Sequence, residues 1–250
     1  MPEATSPART PEPAVSVVVP VRNEAENIGP LAAEIATALQ GRWSFELIFV
    51  NDGSADATEA TLNALKAEQP YLRQIRHAAS CGQSSAVRSG VAAARASIIA
   101  TLDGDGQNDP SFIPALLQTF EQGGAKIGLV AGQRVGRRSG GFKKLQSRIA
   151  NGVRSAILRD GTRDTGCGLK VFRRDAFLAL PYFDGVHRFL PALFRRDGYT
   201  IGYVDVIDRP RHHGSSNYGM WDRLWVGLFD LAGVWWLIRR RKKLPQVSEV

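Results

Sequence analysis

From Val15 onward the chain alternates short runs rich in Val, Ile and Leu with longer stretches whose apolar residues recur every three or four positions. The short runs read as buried strands, and the longer ones put an apolar stripe along one side of a helix. Their alternation builds βαβ units, which assemble into a mostly parallel sheet with helices on its faces. The strands expected are 15–19, 45–50, 72–77, 98–102 and 127–131, and the helices between them 28–39, 57–67 and 84–94. Ile28, Leu31, Ile35 and Leu39 make the stripe of the first helix. Asp109 followed by Pro110 marks an N-cap with proline at the first helical position, so a fourth helix should run to about residue 122.

At 250 residues, 44% hydrophobic and 22% charged, the chain is long enough for one large domain, and disordered and fibrous classes are excluded. Residues 1–13, with four prolines and no apolar run, read as a disordered lead-in and not as a signal peptide. The α/β domain is then 14–218, followed by a helix at 219–243 and a tail at 244–250. Cys81 and Cys167 lie too far apart for any metal-ligand spacing and point to a reducing compartment. No histidine pair has metal spacing, and Ser85 lacks the flanking glycines of a nucleophile elbow.

In a parallel sheet, ligands bind beyond the carboxyl ends of the strands. Two acidic turns fall there: Asn51-Asp52-Gly53-Ser54 and Asp103-Gly104-Asp105-Gly106-Gln107. Carboxylates at i and i+2 on a glycine turn can converge on a hard divalent cation that holds a diphosphate, and the spacing suits Mg²⁺ or Mn²⁺. An Asp-x-Asp sequence alone is more often only a turn; here its place directly after a strand gives it weight. A calcium loop would need a bidentate Glu where this chain has Pro114.

The formal net charge is +8, which calls for an acidic partner. Residues 134–174 hold twelve Lys or Arg against Asp160 and Asp164, a surface suited to an anion or a membrane. Without interleaved aromatics it is not a platform for single-stranded nucleic acid. Further on, 220–243 reads as one helix in which Trp221, Trp225, Leu228, Ala232 and Trp235 are spaced by three and four, with five consecutive basic residues from Arg239. Trp beside a basic cluster suits an anionic bilayer surface, while packing on the domain or on a second subunit is the alternative. The apolar run 224–238, interrupted by Asp230, is too short to span hydrocarbon.

Several motifs in order resemble one family. They are Val19-Pro20-Val21-Arg22-Asn23-Glu24, Asn51-Asp52-Gly53-Ser54, Gly82-Gln83, the Asp103 to Gln107 turn, Gly132-Gln133-Arg134, Arg148, Asp164-Thr165-Gly166-Cys167-Gly168-Leu169-Lys170, His187-Arg188-Phe189-Leu190-Pro191, and Arg211 followed by Gly214 and Ser216. Together they resemble the inverting GT-A-fold glycosyltransferases, and within these the dolichyl-phosphate mannose synthase-like enzymes, including bacterial ones that act on undecaprenyl phosphate. The resemblance implies that Pro20, Arg22, Glu24 and Asp52 line the nucleotide pocket. It implies further that Asp103, Asp105 and Gln107 hold the metal and the donor diphosphate, that Arg134 and Arg148 grip the acceptor phosphate, and that Arg211 and Ser216 close over the diphosphate. Arg22 in place of the family's Tyr, Ser80 for Asn, Leu169-Lys170 for Phe-Arg and Asn217 for Lys are departures.

The expected activity is transfer of a sugar from a nucleotide sugar to a polyprenyl phosphate, with inversion, by a peripheral protein at the cytoplasmic membrane face. A hydroxyl acceptor in glycan synthesis, or a non-catalytic nucleotide-binding module, are the competing expectations.

Overall fold

The computed structural model describes residues 12–135, 152, 154–210, 220–240 and 248. The strands are β1 (Val15–Val21), β2 (Phe45–Asp52), β3 (Leu72–His77), β4 (Ile98–Thr101), β5 (Ile127–Arg134), β6 (Lys170–Arg173) and β7 (Thr200–Val206). The helices are α1 (Ala25–Leu39), α2 (Thr58–Glu68), α3 (Gln83–Ala93), α4 (Ile113–Gln122), α5 (154–158), α6 (Arg174–Ala179), α7 (Leu190–Arg196) and α8 (Met220–Arg239). One seven-stranded sheet has the order β3-β2-β1-β4-β6-β5-β7.

Successive side chains of β1 serve opposite faces. Val17 and Val19 join the core under α1 and α4, while Val18 packs with Ile48 and Val50 against α3, α6 and α7. Burial on both faces explains why these strands are continuous apolar runs in the sequence.

The five expected strands are present; β1 runs two residues past its expected end through Pro20 and Val21, and β2 and β5 run two and three residues past theirs, as far as Asp52 and Arg134. Two strands were not expected. β7 pairs parallel to β5, but β6 runs antiparallel between β4 and β5, so the sheet is mixed. At four residues, two of them charged, β6 carries too little periodicity to be seen alone. Asp109 does cap, accepting from the Ser111 N–H at 2.9 Å, but the turn it starts is a 3₁₀ segment, Pro110–Phe112, that leads into α4.

The C-terminal helix forms as α8 and ends at Arg239. Among its described side chains, from residue 227 onward, apolar residues lie on two sides. Val234 is buried, with Leu231 and Ile238 packed beside it on the second core, while Leu228, Phe229, Trp235 and Trp236 stay exposed. Asp230, the acidic break in the run, turns inward toward Gly185.

Candidate active site

Loops leaving the carboxyl ends of β1 to β4 and β5 converge on one side of the sheet. On the expected nucleotide side they are stitched together around Asp52, which is buried at the end of β2. Its carboxylate accepts from the N–H groups of Cys81 and Gly82 at 2.8 and 2.9 Å, from Ser80 Oγ at 2.8 Å and from His77 Nδ1 at 2.7 Å. Burial works against the charge, but these donors outweigh it and hold the carboxyl below its usual range. His77 Nε2 faces Ser89 Oγ at 2.9 Å. Asp52, His77 and Cys81 place possible ligand atoms within 4.8 Å of one another, yet the donors around Asp52 make the group an internal brace.

Asn23, in the left-handed region at φ 57°, accepts from the Ala55 N–H at 2.8 Å, and its own N–H reaches Ser54 Oγ at 3.0 Å. The turn after β1 is thus tied to the turn after β2. Gly53, at φ +65°, lets the second turn pass the β3 loop, where a Cβ would stand 2.5 Å from the Ser80 nitrogen. Glu24 sits in this frame, its N–H donating to Thr58 Oγ1 at 3.0 Å and its carboxylate accepting from Asn27 at 2.6 Å. Arg22 is exposed at the rim.

Pro20 and Asp103 line a narrow cleft with Gln83, Gly168, Lys170 and His187. Gln83 Nε2 donates to Asp103 at 2.7 Å. Asp105 is nearly buried and accepts from the Gln107 N–H at 3.1 Å, which tightens the turn. Burial, together with the neighbouring Asp105 charge, pushes the Asp103 carboxyl up to about 6. Two carboxylates set two residues apart on one turn are a donor set that a hard divalent cation fits.

Lys170, the first residue of β6, pairs in register with Thr101 at the end of β4, which puts it beside Asp103. It is buried and donates to the Cys167 carbonyl. Burial lowers its pKa, with the charges of Asp103 and Asp164 working in the other direction. His187 is kept neutral at physiological pH, its pKa pressed down to about 3 by burial and by Lys170 and Arg188. Ser84 Oγ accepts from the Gly185 N–H at 3.0 Å and lies within hydrogen-bond distance of His187 Nδ1, at 2.7 Å.

Arg134 ends β5 and engages Asp164 through both Nε and Nη2, the latter at 2.8 Å, and Asp208 through Nη1 at 3.1 Å. Burial would favour loss of its proton, but the two carboxylates outweigh that and raise its pKa. Asn108 connects this cation to the acidic turn: its Nδ2 donates to Asp208 at 3.3 Å, and its Oδ1 accepts from the Asp103 N–H at 3.0 Å. Arg209 bridges Glu34 and Asp109 at 2.6 and 2.7 Å, and its N–H donates to the Gln107 carbonyl at 2.8 Å. The chain two residues before Arg211 is thereby fastened to the acidic turn.

The structure therefore brings Pro20, Asp103, Asp105 and Arg134 into one neighbourhood, with Asp52 and Glu24 in the adjoining frame. Arg148, Arg211 and Ser216 lie outside the described residues. Sequence reasoning assigned no role to Gln83, Lys170, Asn108 or Asp208. Lys170 could be noticed as a cation in a glycine-rich turn, whereas the link between Asn108 and Asp208 carries no local signal because the two are a hundred residues apart in sequence.

A mixed sheet with an acidic pair at the end of β4 and a cleft beside it defines the GT-A class of nucleotide-sugar transferase folds. The chain belongs to glycosyl transferase family 2, whose pattern matches residues 16–180. It is 35% identical over 238 residues to a dodecaprenyl-phosphate galacturonate synthase of Rhizobium johnstonii, covering 92% of this chain and 68% of the relative. It is 33% identical over 207 residues to an undecaprenyl-phosphate 4-deoxy-4-formamido-L-arabinose transferase of Photorhabdus laumondii, covering 82% of this chain and 62% of the relative. Among solved structures, glucosyl-3-phosphoglycerate synthase of Mycobacterium tuberculosis with Mn²⁺ and UDP has a TM-score of 0.66 at 20% identity, over 90% of this chain and 80% of that one. A mannosyltransferase of Pyrobaculum calidifontis with GDP-Man and Mn²⁺ has a TM-score of 0.67 at 19% identity, over 94% and 66%. Among the described residues no helix is long and apolar enough to cross a membrane.

Proposed function

We propose that this protein transfers a sugar from a nucleotide sugar to a polyprenyl phosphate, with inversion, at an anionic membrane surface on its cytoplasmic side. One observation carries the reading: the Asp103 and Asp105 pair, linked through Asn108 and Asp208 to Arg134, occurs in a chain 35% identical to a dodecaprenyl-phosphate galacturonate synthase. In this reading Pro20, Arg22, Glu24 and Asp52 line the nucleotide site, and Asp103, Asp105 and Gln107 hold Mg²⁺ or Mn²⁺. The ion, when bound, offsets the charge of the diphosphate leaving group.

The chain's own residues do the rest. Arg134 and Arg148 orient the acceptor phosphate, and Arg211 with Ser216 closes over the donor diphosphate. The attacking phosphate oxygen forms its bond to the anomeric carbon on the face opposite the departing diphosphate, so the configuration inverts. A phosphate monoester, with a second pKa of about 6, is already mostly dianionic at neutral pH and needs no base. The surroundings of Asp164 favour this over a hydroxyl acceptor. The Arg134 guanidinium engages both of its oxygens, making it a counter-ion and a poor candidate for a base.

The test is to offer labelled nucleotide sugars, including an activated galacturonate, with undecaprenyl phosphate and Mg²⁺ or Mn²⁺, and to extract the products into organic solvent. Label in the lipid phase is expected. Label on a soluble glycan would replace the acceptor class, and donor binding without any transfer would make the chain a binding module.

A further inference from the structure

We infer that the groove between α5, α7 and α8 is a docking site for an anionic phospholipid of the bilayer, taking the phosphate at its rim and the upper acyl chain along its floor. The groove encloses about 330 Å³, and its apolar lining includes Ile157, Trp235 and Ile238. Arg159, Arg195 and Arg239 stand around it, with no acidic residue in the lining. The groove deepens the membrane part of the function proposed above, on which it rests.

The three arginines are exposed. Among the described residues the guanidinium groups of Arg159 and Arg195 have no carboxylate partner, and Arg239 lies over the Trp235 ring at 3.9 Å. Arg196, also in the lining, differs: its Nε donates to the Leu237 carbonyl at 3.1 Å and its Nη1 to Asp197 at 3.0 Å, so it builds the wall. Three exposed cations around an apolar floor, with no acidic residue in the described lining, call for a ligand that is both anionic and apolar. A free phosphate would leave Trp235 and Ile157 in water, and a neutral apolar segment would leave the arginines unmatched. A phospholipid satisfies both, and indole beside guanidinium is the pairing that settles at the headgroup level of a bilayer.

The surface continues in the same sense. On the outward side of α8, Phe229 is 75% and Trp236 52% exposed, although the helix is already docked through Val234. A helix with a second apolar side requires something to cover it. Seated on a bilayer, that side would be covered and the groove would face the headgroups. Leu190 opens α7 in the donor cleft, and Arg195 and Arg196 close it in the groove, so the two sites are joined by a helix about 10 Å long.

The experiment uses the full chain, because removing α8 would uncover the second core. Flotation is measured with phosphatidylcholine vesicles with and without phosphatidylglycerol, for the wild type and for Arg159→Glu combined with Arg195→Glu. Expected are phosphatidylglycerol-dependent binding of the wild type and binding at least ~10-fold weaker in the double variant, with unchanged melting and nucleotide binding. Quenching of wild-type Trp fluorescence by phosphatidylglycerol brominated on its acyl chains, reduced in Trp235→Phe, supplies a readout should the double variant fold poorly. Equal binding of the variant would overturn the groove and leave the membrane reading standing. A wild type that floats with neither vesicle would overturn both. Displacement by millimolar inorganic phosphate alone would make it a soluble-anion site, and a vesicle-free dimer lost in the variant would make it an interface between copies, each outcome overturning the lipid assignment.

Discussion

The carboxylate of Asp103 occupies the space where a side chain on Gly168 would begin: a Cβ there would stand 2.5 Å from both of its oxygens. The glycine-rich turn before β6 thus holds the acidic group in place by leaving room for it. In Gly168→Ala the atom that must move is the end of a rotatable side chain, so stability should change little, whereas transfer should fall about 100-fold as the carboxylate is displaced. Gly90→Ala is the contrasting variant. Its methyl would meet Val18 Cγ1 at 2.4 Å within the core, so it should lower stability by about 1–3 kcal/mol in chemical denaturation.

Asp105→Ala should abolish transfer with the fold intact, since the residue sits in a loop beyond β4. Chelation by EDTA should have the same effect on the wild type, reversed by adding Mn²⁺ or Mg²⁺. Full activity in EDTA would remove the metal from the reaction.

Arg134→Ala removes the partner of Asp164 and Asp208 together. It should therefore lower stability by about 2–4 kcal/mol as well as weaken acceptor use, because two mostly buried carboxylates lose the guanidinium that both engage. Asp164→Asn keeps the shape of the contact and should retain transfer within about tenfold if no base is needed. A loss of several orders of magnitude in that variant, with acceptor binding preserved, would return the hydroxyl-acceptor mechanism.

Glu46 gives the fold an acid limit. Burial opposes its charge, but Ser16 and the Arg95 N–H, each at 2.6 Å, and Arg73, also at 2.6 Å, hold its pKa below the ordinary 4.5. A carboxyl depressed in the folded state stabilises fully above its unfolded value and loses that contribution as pH falls through the folded one. Wild-type melting temperature should thus drop as pH goes below about 4.5. Glu46→Gln should be less stable at neutral pH by about 1–3 kcal/mol, with the gap narrowing in acid.

Much of this was legible in the residues. Apolar runs and their spacing located β1 to β5 and α1 to α4, because strands buried on both faces and helices with one buried stripe leave those patterns in any chain. The acidic turns were visible for a related reason: once the strands are known, the loops at their carboxyl ends are known too. Residues 1–11, 136–151 and 211–219, with Arg148, Arg211 and Ser216 among them, lie outside the described residues, so for those positions the sequence remains the source of the expectation.

The sequence by itself determined the class of sheet, the position of Asp103 and Asp105 at a strand end, and the basic, Trp-bearing character of the C-terminal helix. Only the tertiary structure decided that β6 runs antiparallel and sets Lys170 beside Asp103, that Arg134 is shared by Asp164 and Asp208, and that Arg159 and Arg195 meet Trp235 across a groove. The physical reason is range. Periodicity and turn chemistry act over a few residues, whereas an ion pair or a groove joins side chains whose separation along the chain places no constraint on their separation in space.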